Sequence, residues 1–280
     1  MPIYEQTYRR YEARGPLRNV RFWPIAREAL RHVLAKRAFL GLLALSWLPF
    51  VVRLVQVFVV TRFPEAGRVL PVNGGMFGEF LNQQIGLTLL LSAFGGAGLI
   101  ANDLRTGAIL VYLSRPLTRR DYVLGKLTVL LALNLAVTLA PGLLLYAAAL
   151  ALAPEQFAAW SLAWIGPAIV AHSLLVALAA GLLALAVSSI ARSARVAGLS
   201  FVLLFVGLGV VGAVLKNVLD TPATALVSPQ GDLELVGRAL FGVAAQDGVH
   251  WAWAALVLAA LGAGCVLILR SRVRAVEVVA

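Results

Sequence analysis

Few residues in this 280-residue chain have the type and setting to do chemistry. His172-Ser173 and Ser188-Ser189 put a base and hydroxyls inside apolar runs, and Gly125-Lys126 closes a basic segment. GLGVVG at 207–212 carries the glycine spacing of a dinucleotide turn. Each fails on its surroundings. Hydrolysis needs a nucleophile activated by a placed base, and the chain has no G-x-S-x-G, no H-E-x-x-H and no paired carboxylates within an apolar run. A phosphate loop needs G-x-x-x-x-G-K-[ST], which is absent, and a dinucleotide turn needs a preceding strand, which residues 207–212 lack. Those glycines read instead as small-residue helix packing. No catalytic role is expected of this chain.

Arg53 is a different case, a cation inside an apolar run with Gln56 nearly one helical turn further on. Either it faces a central pathway and meets an anionic headgroup or substrate, or the helix ends early and the guanidinium reaches the outer interface. His172 either joins such a pathway or satisfies a neighbouring backbone carbonyl. Arg53, Gln56 and His172 are the candidates for contact with a pathway or with lipid.

The elements that carry these residues follow from composition. Hydrophobic residues make up 61% of the chain and charged ones 13%, with a mean hydropathy of +0.88, which describes an integral membrane protein. The net charge of +11 falls in short blocks beside apolar runs, where membrane topology and anionic headgroups account for it better than nucleic acid does. The single cysteine, Cys265, excludes an intrachain disulfide and a cysteine-based metal cluster. A basic complement of 21 Arg against 3 Lys has the look of a GC-rich bacterial genome.

Runs long enough to cross a hydrocarbon core, about 20 apolar residues, occur at 39–61, 82–101, 127–152, 167–190, 196–215 and 250–269. With the amino terminus inside, the inner segments hold 19 of the 24 Lys and Arg, so both termini are expected to be cytoplasmic. The runs are too long and uniform for barrel strands. The expected architecture is an all-α membrane protein: residues 1–38 an extension and interfacial helix, 39–269 a six-helix transmembrane domain, 270–280 a cytosolic tail.

Residues 20–37, VRFWPIAREALRHVLAKR, place Phe22, Trp23, Ile25, Ala29, Leu30, Val33 and Leu34 on one half of a helical wheel and Arg27, Glu28, Arg31 and His32 on the other. With Pro24 in the first turn, this predicts a helix lying in the membrane interface.

Between the second and third runs lies NDLRTGAILVYLSRPLTRRDYVLGK, residues 102–126. Ala108–Leu113 predicts a short helix after Gly107, Ser114-Arg115-Pro116 interrupts it, and Thr118 with Asp121 forms a capping box for a second helix running into the third span. A compact knob follows, with Arg105, Arg115, Arg119 and Arg120 on its charged face and Ile109, Leu110, Tyr112 and Leu113 on its apolar one.

This order, an acidic residue, Gly-Ala-Ile-Leu and then LSRPLTRRDYVLGK between the second and third of six spans, resembles the permease subunits of ABC type-2 exporters. The matching positions are Asp103, Gly107, Leu113, Ser114, Pro116, Thr118, Arg119, Tyr122, Gly125 and Lys126. The resemblance implies that the knob is a cytosolic coupling helix docking into a separate ATP-binding subunit. Its contact residues would be Asp103, Arg105, Gly107, Leu110, Leu113, Ser114, Arg115, Pro116, Thr118, Arg119, Arg120 and Tyr122. It further implies that residues 20–37 are an elbow helix, that ATP and Mg are bound by the partner and no cofactor by this chain, and that a second copy or a paralogous permease completes the unit. The setting implied is the bacterial cytoplasmic membrane with its lipids, and the cargo is not encoded in the spans. A non-transporting membrane anchor of an envelope complex and a secondary transporter are the alternative classes.

Asn134 and Pro141-Gly142 in the third run read as a polar interhelical contact and a kink. LELVGRALFGVA, within the outer segment 216–249, reads as a short re-entrant or interfacial helix.

Overall fold

The computed structural model describes residues 22–113, 117–152, 163–219, 222–243 and 248–273. The expectations for residues 1–19, for Ser114, Arg115 and Pro116 and for most of the carboxy-terminal tail lie outside these. Every regular element among the described residues is helical, and six stretches are long and apolar enough to cross a membrane: Arg37–Arg62, Gly74–Arg105, Arg119–Leu152, Ile165–Ile190, Ala194–Leu219 and Trp251–Arg272.

The first stretch follows α1 (Trp23–Leu34) and is two helices, α2 (Arg37–Leu45) and α3 (Leu48–Arg62). Pro49 has no N–H to return to the carbonyl of Leu45, so the ladder breaks there. The break is closed by side chains: the Ser46 hydroxyl donates to the Leu42 carbonyl at 2.8 Å, and Gln84 Nε2 donates to the Ser46 carbonyl at 3.0 Å. The second span, α4 (Gly74–Arg105), begins well before the expected residue 82, capped by Asn73 whose Oδ1 accepts from the Met76 N–H at 3.1 Å. Its glycine-rich first turns carry too little hydropathy to register as membrane-spanning, yet Met76, Phe77 and Phe80 are buried.

After the short α5 (Ala108–Leu113), the third span is also divided, into α6 (Arg119–Val137) and α7 (Leu139–Leu152). The kink expected at Pro141-Gly142 falls at Thr138, because the bond that Pro141 cannot make belongs to the carbonyl four residues earlier, at Val137. Then follow α8 (Ile165–Ile190), α9 (Ala194–Leu219), α10 (Pro229–Leu240) and α11 (Trp251–Arg272), with 3₁₀ turns at Pro64–Arg68 and Pro222–Val227.

Within lipid, apolar helices gain little from mere contact, so close approach and polar clasps decide the packing. A Cβ on Gly96 of α4 would stand 2.9 Å from that of Ala184 on α8, which marks how tightly these two helices meet. Ser188 Oγ donates to the Ala97 carbonyl at 2.8 Å and accepts from the Ile100 and Ala101 N–H groups at 3.2 and 3.0 Å. The third span joins them where Asn134 Nδ2 donates to Ser92 Oγ at 2.9 Å. Around this core the first, fifth and sixth spans keep broad apolar faces outward, among them Val52, Phe58, Leu199, Leu203, Val206 and Leu256.

Candidate functional site

The knob is built by local rules. Gly107 turns the chain off the end of α4 in the left-handed region, φ 71°, where a side chain would be strained. Thr118 then caps α6: its hydroxyl accepts from the Asp121 N–H at 3.2 Å and Asp121 Oδ2 accepts from the Thr118 N–H at 3.0 Å, the reciprocal box expected from sequence. Helix α5 hangs between these two anchors.

Beneath it, Asp103 from the end of α4 meets Lys126 and Tyr122 from α6. Lys126 Nζ lies 2.8 Å from Asp103 Oδ2, and the Tyr122 hydroxyl donates to the same oxygen at 2.8 Å. Lys126 is 6% exposed and Tyr122 is fully buried, so this is an ion pair inside the fold. The ammonium also sits 5.5 and 5.9 Å from the rings of Tyr122 and Tyr112, within cation–π range. Residue spacing follows helix geometry: Tyr122 and Lys126 are four apart and share a face.

Gly125, one residue before Lys126, is the contact point for α1. A Cβ there would come within 3.0 Å of Ile25 Cβ and of the Phe22 carbonyl oxygen. Ile25, Ala26, Ala29 and Val33 are buried while Trp23 is exposed. The apolar stripe of α1 therefore rests largely on the bundle, with only its edge left for an interface.

The sequence-identified residues thus divide. Arg105, Thr118, Arg119 and Arg120 are exposed on the knob, whereas Asp103 and Tyr122 face inward as part of the ion-pair cluster. Leu110 and Leu113 belong to α5 by backbone, and their side chains lie outside the description, as do Ser114, Arg115 and Pro116. Arg53 stays within α3, which runs on to Arg62, and donates to Gln56 Oε1 at 2.9 Å and to Glu79 Oε2 on α4 at 3.2 Å. The Arg53 side chain is 14% exposed. His172 is buried against α10 at Gly237: a Cβ there would fall 2.8 Å from His172 Nε2 and 3.0 Å from Asn82 Oδ1. Ser188 is spent on the α4 backbone, and Ser189 Oγ donates to the Ala186 carbonyl at 2.7 Å.

Two residues escaped the sequence reading as site members. Lys126 stood in the motif without a partner, although an isolated cation at the start of an apolar run is itself a signal for a buried counter-charge. Asp232 lay in what read as an outer loop. It occupies the first turn of α10, 1% exposed, with neither carboxylate oxygen hydrogen-bonded among the described residues, and burial pushes its pKa up to about 7.

Comparison with curated proteins gives no match. The sequence profile described as ABC-2 family transporter protein matches residues 23–250, which takes in α1, the first five spans, the knob and α10. With six stretches long and apolar enough to cross a membrane and a match over most of its length, the chain belongs to the ABC-2 transporter membrane, or permease, family.

Proposed function

We propose that this chain is the permease subunit of an exporter driven by a separate ATP-binding-cassette subunit, which docks on α5 and on the exposed cations at the start of α6. The observation that carries the reading is the buried Asp103–Lys126–Tyr122 cluster directly beneath that surface. A partner pushing on the knob acts on the ends of the second and third spans through a charged tie, so closure of the ATP-binding subunits shifts the bundle between two packing states. Coupling of this kind requires that the docked contacts differ in strength between those states. The basic ends of the spans, with Arg105, Arg119, Arg192, Arg195 and Arg270, then face the cytoplasm, along with both termini, in a bacterial inner membrane. A second copy of the chain supplies the other half, and ATP and Mg are held by the partner subunits.

The test is purification of the tagged chain from its native membranes with an ATPase assay on what accompanies it. The expected result is a stoichiometric subunit carrying a Walker motif, lost when Arg119→Glu and Arg120→Glu are combined while thermal stability is kept. Absence of any such subunit from the wild-type preparation under mild detergent would overturn the reading in favour of an anchor or secondary transporter.

A further inference from the structure

The second, third and fourth spans hold a common register. At one level Asn134 bonds Ser92 and reaches the Ala177 carbonyl at 3.5 Å. About two turns further along the third span, a Cβ on Gly142 would stand 2.9 Å from Ile169 and 3.6 Å from Leu81. Four residues, about one turn, along each span from the first level leads to Thr88, Thr138 and Ser173. Four residues back from Gly142 and four on from Ile169 lead to the same Thr138 and Ser173, while the second span, counted from Leu81, brings Ile85 and then Thr88 within a turn of that level. Three hydroxyls therefore share one layer, all of them buried.

Hydroxyls in apolar helices normally settle on the carbonyl one turn back. Ser46, Thr61, Thr128 and Thr138 all do so, at 2.8 to 3.0 Å. Thr88 and Ser173 do not, and neither has a hydrogen-bond partner among the described residues. The third span breaks at this same layer, where Pro141 leaves the Val137 carbonyl without its usual donor. Leaving two hydroxyls dry and unpaired here is costly, and buried polar groups of this kind are ordinarily satisfied.

We infer that a water molecule is bound in this layer, bridging Thr88 and Ser173 at the break in the third span. Water fits because both hydroxyl protons need an acceptor. A sodium ion, the other occupant that an all-oxygen site admits, offers none. The bound water makes the break a hydrated hinge: it exchanges hydrogen bonds with the freed backbone as α7 tilts against α6.

Thr88→Val and Ser173→Ala, made separately in the full-length purified protein, test this by the sign of their effect. A bound water that loses a partner lowers the midpoint of thermal unfolding, by roughly 2–4 °C per substitution. A dry layer gives an unchanged or raised midpoint, because the substitution then removes an unsatisfied group, and that result overturns the proposal. Wild-type midpoints in sodium chloride and choline chloride of equal ionic strength are expected to coincide; a sodium-specific rise would assign the layer to the cation instead. Should the variants fail to fold, radiolytic hydroxyl-radical labelling of the wild type provides the second measure. Val137 and Ile169, both fully buried, are expected to be oxidised by radicals formed from the adjacent water, and their protection would overturn the site.

Discussion

Lys126 Nζ lies 2.8 Å from Asp103 Oδ2, and that contact ties the last turns of the second span to the first turns of the third. Removing Lys126 leaves the enclosed Asp103 carboxylate with the Tyr122 hydroxyl but no counter-charge. Lys126→Met is therefore expected to cost about 3–5 kcal/mol of stability, and Lys126→Met with Asp103→Asn distinctly less than the sum of the two single changes. Thermal unfolding of the four proteins of this cycle measures the coupling directly.

Gly125→Ala tests the seat of α1. The new Cβ meets backbone as well as side chain at 3.0 Å, so the neighbours cannot yield by rotating one group. The expected loss is about 1–3 kcal/mol, accompanied by faster hydrogen exchange in α1 than elsewhere. Uniform exchange with unchanged stability would show that α1 is not held at this point.

The pair on the first span behaves differently. The Glu79 side chain is 71% exposed at the outside of the fold while that of Arg53 is 14% exposed, so the pair is only half enclosed and is expected to be weak. Glu79→Gln is expected to change stability by less than about 1 kcal/mol. Arg53→Met, which removes a largely buried cation along with its bond to Gln56, should exceed that. Equal effects in thermal unfolding would mean that the ion pair, not the arginine's packing, matters.

Asp232 predicts a pH dependence. Its folded pKa of about 7 lies above the ordinary 3.8, so the folded state holds a proton that the unfolded chain releases between those values. The stability it contributes is full below the unfolded pKa and is lost as pH rises through about 7. Asp232→Asn should flatten that part of the pH–stability curve and leave the variant the more stable protein at pH 8. A wild-type curve that keeps its slope in the variant would assign the dependence to another group.

Much of this fold was legible because the bilayer demands long apolar helices, and six such runs stand out by length alone. The capping box at Thr118 and the short helix after Gly107 could be read for a similar reason, since both depend on neighbours in sequence. What escaped depends on distant partners. Nothing local tells that Asp103 faces Lys126, that Gly125 exists to admit Ile25, or that the helix of residues 229–240 buries Asp232. The early start of the second span escaped for another reason: glycines and Glu79 dilute the hydropathy of turns that are nonetheless packed.

Ser188 gives the bundle a mechanical division. One hydroxyl grips a carbonyl and two amides of α4, close to where Gly96 and Ala184 bring the two helices together. The second and fourth spans are accordingly expected to move as a single strut. Any relative movement is then left to α7 at its break and to the outward-facing first, fifth and sixth spans, which are arranged around that strut like panels around a post.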